Sequence, residues 1–90
     1  MEKKIKKLDN VKWRKDFEFI TIYNYNTDDL FKASKITGEI LELSDGTRSI
    51  DEVIDELINN SKVEILDSTR EKLEKYIKSL IEKEVIAYIE

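Results

Sequence analysis

The chain has ninety residues, of which 40% are apolar and 40% charged; 16 Lys+Arg against 20 Asp+Glu leave a net charge of −4. That length suits one domain, and the absence of Cys and His excludes disulfides, thiolate or imidazole metal sites, cysteine nucleophiles and histidine acid–base chemistry. No apolar run approaches membrane-spanning length and none follows the charged start as in a signal peptide, so a soluble, cytoplasmic protein is expected.

Residues 1–9 hold six charged groups besides Ile5 and Leu8, and read as a basic, flexible N-terminal segment. Val11-Lys12-Trp13-Arg14-Lys15 alternates apolar and charged residues, the period of a half-buried strand. Trp13 is expected to anchor that strand on the helices, and Asp16 to lie in a turn. Phe17–Tyr25, FEFITIYNY, is rich in aromatic and β-branched residues and predicts a second strand. Glu18, Ile20, Ile22 and Asn24 share one face of it and Phe17, Phe19, Thr21 and Tyr23 the other, so both faces carry large apolar groups: the strand is either covered on both sides or meets something outside the domain on one. Asn26–Asp29 is a turn by composition, and Leu30–Ala33 a short third strand whose far edge is left unpaired.

The stretch from Ile36 to Ile58 predicts helix, tight turn, helix. Ile36, Ile40, Leu41 and Leu43 line the first helix. Asp45-Gly46 is expected to close it, since glycine takes positive φ at little cost. Ser49 and Glu52 form a Ser-x-x-Glu capping box, followed by Ile50, Val53, Ile54, Leu57 and Ile58 at helical spacing. Val63–Leu66 reads as an extended connector. Ser68 and Glu71 form a second capping box before a third helix carrying Leu73, Tyr76, Ile77, Leu80 and Ile81. Val85–Glu90 is a final strand or extended tail.

Charge is divided along the chain: 9 Lys+Arg against 6 Asp+Glu over residues 1–35, then 7 against 14 over residues 36–90. The acidic helical half argues against a phosphate backbone as partner. Asp51, Glu52, Asp55 and Glu56 read as solvated helix charges. There is no calcium-type loop, no glycine-rich phosphate loop and no serine beside a base. No enzymatic activity and no cofactor is expected. The helix–turn–helix outline leaves a winged-helix, DNA-binding regulator of transcription as the alternative reading.

The run LFKASKITGEILELSDGTRSIDEVIDEL, Leu30 to Leu57, resembles the core of the PqqD-like RiPP recognition elements, small domains that bind leader peptides of ribosomally made, post-translationally modified peptides. The residues that carry the resemblance are Ile40-Leu41-Glu42-Leu43, then Asp45-Gly46-Thr47-Arg48-Ser49, then the acidic amphipathic stretch Ile50–Leu57. Ala33-Ser34-Lys35 departs from the family's frequent Leu-Asn pattern. The resemblance spans residues 10–90 and implies an α+β, winged helix-turn-helix-like fold with a three-stranded antiparallel sheet packed on three helices. It also implies that a leader peptide adds as a strand along Leu30, Phe31, Lys32 and Ala33. The groove wall would come from Leu73, Tyr76, Ile77 and Leu80, with Lys72 and Lys83 at the rim, while Asp45, Gly46 and Arg48 hold the turn. The implied partners are a precursor peptide and a peptide-modifying enzyme or leader peptidase, such as a radical-type modifier or a lasso-peptide protease, with neither nucleic acid nor membrane. The expected assembly is a monomer or weak homodimer.

Overall fold

The computed structural model describes residues 3–60 and 69–89. Its elements run β1 (Lys4–Lys7), β2 (Val11–Lys15), β3 (Ile20–Asn24), β4 (Asp29–Ala33), α1 (Lys35–Leu43), β5 (Asp45–Ser49), α2 (Ile50–Asn59), α3 (Thr69–Glu82) and β6 (Ile86–Ile89). The fold is α+β, as expected, but with two three-stranded antiparallel sheets, β2–β3–β4 and β5–β1–β6. The expected connector Val63–Leu66 and the capping residue Ser68 lie outside the described residues. No described helix is long and apolar enough to cross a membrane.

The sheet β2–β3–β4 is the meander expected from the alternation. It starts later than the aromatic run suggests. The Asp16 N–H donates to the Phe19 carbonyl at 2.8 Å, and the Thr21 hydroxyl to the Asp16 carboxylate at 2.6 Å, so residues 16–19 form a turn. Phe17 is left 89% exposed. Ile20, Ile22 and Asn24 then face the core, while Thr21 and Tyr23 face outward. The helices cover only the inner side. Trp13 packs on Gly38 of α1, where a Cβ would lie 3.1 Å from the indole and 3.3 Å from Ile20.

The sheet β5–β1–β6 corrects two expectations. The segment taken as flexible contains β1, which is the central strand, paired with β5 on one side and β6 on the other. Ile5 is its only fully buried side chain. The lysines hide this role because their ammonium groups find partners at the margins: Lys4 donates to Glu52 at 2.9 Å, and Lys7 to the carbonyls of Leu8 and Val11 at 3.0 and 2.9 Å. Burial of those stems, with Lys12 nearby, lowers the Lys7 pKa.

Nor does Asp45-Gly46 close the first helix. That helix ends at Ser44, whose N–H donates to Ile40 and Leu41 and whose hydroxyl donates to Ile40 at 2.7 Å. Residues 45–49 continue as strand. Gly46 does take positive φ, +91°, inside that strand, and a Cβ there would meet Ile89 at 3.1 Å. The Asp45 carboxylate accepts from the Thr47 hydroxyl and N–H, which hold its pKa below the usual range. Arg48 donates to the Leu43 carbonyl and to Asp45, both at 3.3 Å, and so ties the end of α1 to β5.

The Ser49 capping box is present in both halves: the Glu52 N–H donates to the Ser49 hydroxyl, and the Ser49 N–H to the Glu52 carboxylate. The Lys4 ammonium is the larger cause, and the Ser49 N–H the next, of a Glu52 pKa lowered to about 2. Arg70 of α3 bridges Asp51 and Asp55 of α2. One core joins everything: Ile5 and Ile86 from one sheet, Val11, Ile20 and Ile22 from the other, and Ile40, Val53, Ile54, Leu57, Ile77 and Leu80 from the helices. Each such side chain withdrawn from water contributes about 1.5–3 kcal/mol before chain entropy is counted.

Candidate functional site

β4 bonds to β3 on one side only. Among the described residues no strand pairs with its other edge. Along β4, Leu30 and Lys32 point outward and are exposed, while Phe31 and Ala33 turn inward and pack partly against the core. The Lys32 ammonium rests over the Phe19 ring at 4.5 Å.

Beside this strand opens a cleft of about 400 Å³. Asn24, Thr27, Asp29, Leu30 and Phe31 form one wall, and Glu82, Lys83 and Glu84, at the end of α3, the other. Lys83 reaches across, its ammonium 5.0 Å from the centre of the Phe31 ring. One turn of α3 after another brings Tyr76 and Lys83 to the same side of the helix. The Tyr76 hydroxyl shares a hydrogen bond with the buried hydroxyl of Thr37 in α1, so α3 is tied to α1 behind β4.

The residues expected to form the groove therefore separate into two groups. Leu30, Phe31 and Lys83 meet at the cleft, with Lys32 and Ala33 beside them and Tyr76 half-buried further along α3. Leu73, Ile77 and Leu80 do not wall it: Ile77 and Leu80 are at most 1% exposed, Leu73 is 9% exposed, and all three belong to the core. Lys72 is exposed but is not part of the cleft lining. The helical stripe was legible; which part of it the core would consume was not.

Asn24, Thr27, Glu82 and Glu84 were missed. Asn24 carried a signal, a polar residue in the inward phase of an apolar strand, which needs internal partners. It has them. Its amide nitrogen donates to the carbonyls of Lys83 and Glu84 at 3.2 and 3.3 Å, and its oxygen accepts from Asn10 at 2.8 Å and from the N–H groups of Asn26 and Thr27. Asp28 completes the turn with φ +58°, and its carboxylate accepts a hydrogen bond from the Tyr23 hydroxyl, which raises the Tyr23 pKa. Among the described residues no group of Asp or Glu converges as metal ligands would.

The fold and site thus define a small α+β domain with an open antiparallel edge beside a helix end. The structure is similar to that of TbiB1 solved in complex with the TbiA(beta) leader peptide: TM-score 0.71, covering 90% of this chain and 93% of that one, at 16% sequence identity. At this identity the likeness is one of fold. No protein-family model and no curated protein matches the sequence.

Proposed function

We propose that this chain binds the leader segment of a ribosomally made, post-translationally modified peptide and presents the precursor to a maturation enzyme or leader peptidase, without doing chemistry itself. In this reading it is a PqqD-like recognition element of the cytoplasm. The observation that carries it is the unpaired β4 edge lying against the cleft between Phe31 and Lys83. The likeness of fold to TbiB1, a protein solved with a leader peptide bound, supports it.

Strand addition suits the task physically. Main-chain hydrogen bonds along an edge give affinity that is indifferent to sequence, and side-chain pockets beside the edge add selectivity. A leader that is disordered when free loses chain entropy on docking, so affinity is moderate and the precursor can be released. Leu30, Phe31, Lys32 and Ala33 supply the edge, and Tyr76 and Lys83 the facing wall. Leu73, Ile77 and Leu80 support that wall from behind.

The test is calorimetric titration with the leader of a precursor peptide encoded beside this chain. Saturable binding that depends weakly on salt is expected. Binding to duplex DNA instead, with affinity falling steeply as salt rises, would replace this reading with the transcriptional one.

A further inference from the structure

The phase of the ladder settles which main-chain groups of β4 are free. The Tyr25 N–H donates to the Asn10 carbonyl at 2.7 Å and the Asp16 N–H to the Phe19 carbonyl at 2.8 Å. These pairs extend the β2–β3 register by one position at each end. In an antiparallel ladder, bonded pairs recur at every second position. The bonded pairs within the strands are therefore Lys12 with Tyr23 and Arg14 with Thr21. Ile20, Ile22 and Asn24 are left to direct their N–H and C=O groups to β4. Opposite them stand Ala33, Phe31 and Asp29, with no register shift along the pairing. By alternation, the N–H and C=O groups of Leu30 and Lys32 face the open edge.

Side chains follow the same alternation. A strand added to this edge exchanges hydrogen bonds with Leu30 and Lys32. Its residues opposite those two point outward, and the residue between them, opposite Phe31, points inward to the cleft. The inward position meets the Phe31 ring and the stem of Lys83. The outward position beside Lys32 meets an ammonium that has no carboxylate partner among the described residues. Antiparallel or parallel addition keeps this order of in and out.

Building on the leader-binding reading above, we infer that the recognised segment is an extended peptide of alternating character, with apolar residues directed at Phe31 and Ala33 and an acidic residue beside Lys32. The main chain of Leu30 and Lys32, not that of Phe31, carries its hydrogen bonds. The consequence for mutagenesis is specific. Lys32→Pro removes an outward N–H and leaves the β3–β4 ladder whole, whereas Phe31→Pro removes a ladder bond.

Amide exchange of the free, isotope-labelled protein is the first measurement. The Leu30 and Lys32 amides should exchange at least about tenfold faster than those of Phe31 and Ala33; the reverse order overturns the register. The second uses a short capped peptide of alternating valine and glutamate, with a peptide of the same composition in two blocks as control. The alternating peptide should slow exchange at Leu30 and Lys32, and the blocked one should bind about tenfold more weakly. Lys32→Pro should weaken the alternating peptide by about tenfold while melting cooperatively, and Lys32→Glu, which leaves the main chain untouched, by about threefold. If Lys32→Pro does not fold, Lys32→Glu decides. A bound leader that leaves the Leu30 and Lys32 amides unprotected, or equal affinity for the two peptides, overturns the register while leader binding stands. If neither the encoded leader nor either peptide binds at all, the leader-binding reading falls and takes this one with it.

Discussion

The two sheets are assembled in opposite ways. β2, β3 and β4 are consecutive strands joined by tight turns, and their sheet ends in an edge that no strand among the described residues pairs, beside a cleft. β5, β1 and β6 come from the middle, the beginning and the end of the chain, and β1 is paired on both sides. The first sheet is held by local contacts and has an edge to offer. The second gathers distant segments and serves as a clasp for the core. If the proposed role holds, stability and recognition are separated: substitutions in the clasp should unfold the domain, whereas those on the outer side of the meander should leave it folded.

Ile5→Asp puts a charge at the fully buried centre of the clasp. It should cost about 4 kcal/mol or more and abolish cooperative unfolding. Leu30→Asp, at a 67% exposed position of the meander, should stay within about 0.5 kcal/mol by urea denaturation. If the two variants lose similar stability, the division between the sheets is wrong. Gly46→Val forces a β-branched side chain to φ +91° and into Ile89, so its urea midpoint should drop by the equivalent of about 1–3 kcal/mol. Ser49→Ala, at the joint between β5 and α2, should lower stability by about 1 kcal/mol through loss of the capping bond; a wild-type melting curve would remove that cap from the account.

The smallest effect lies on the pH axis. Glu52 ties α2 to β1 through Lys4, and its pKa is lowered to about 2 from an ordinary 4.5. A carboxylate depressed in the folded state stabilises it above the ordinary pKa and loses that contribution as pH falls through the folded one. Stability should therefore decline between about pH 5 and pH 2. Glu52→Gln should flatten part of that acid limb and leave the curve above pH 6 parallel to wild type.

What could be read from the residues divides along the same line. Val11–Lys15, Ile20–Asn24, the β4 strand and the Ser49 cap follow from period and turn chemistry, because their partners are near in sequence. β1 did not, because Lys-Ile-Lys-Lys shows one apolar residue and its strand partners lie far along the chain. Asp45-Gly46 in β5 has the composition of a turn; only pairing with β1 makes the segment a strand. Beside the cleft, the Asn26–Asp29 turn and the short run after it identified the edge strand. The apolar stripe of α3 did not announce that Leu73, Ile77 and Leu80 would face the core, leaving Lys83 at the cleft and Tyr76 bonded to Thr37 of α1. Asn24 was visible as an anomaly, but its partners depend on how α3 ends.

That buried amide has a mechanical consequence. Asn24 joins the tip of the β3–β4 hairpin to the carbonyls of Lys83 and Glu84 just past α3, the two banks between which the cleft lies. For the banks to drift apart, the Asn24 bonds to the carbonyls of Lys83 and Glu84 must break, so those bonds oppose widening of the gap. A peptide bound as proposed would then find a gap already set to one width rather than having to open it.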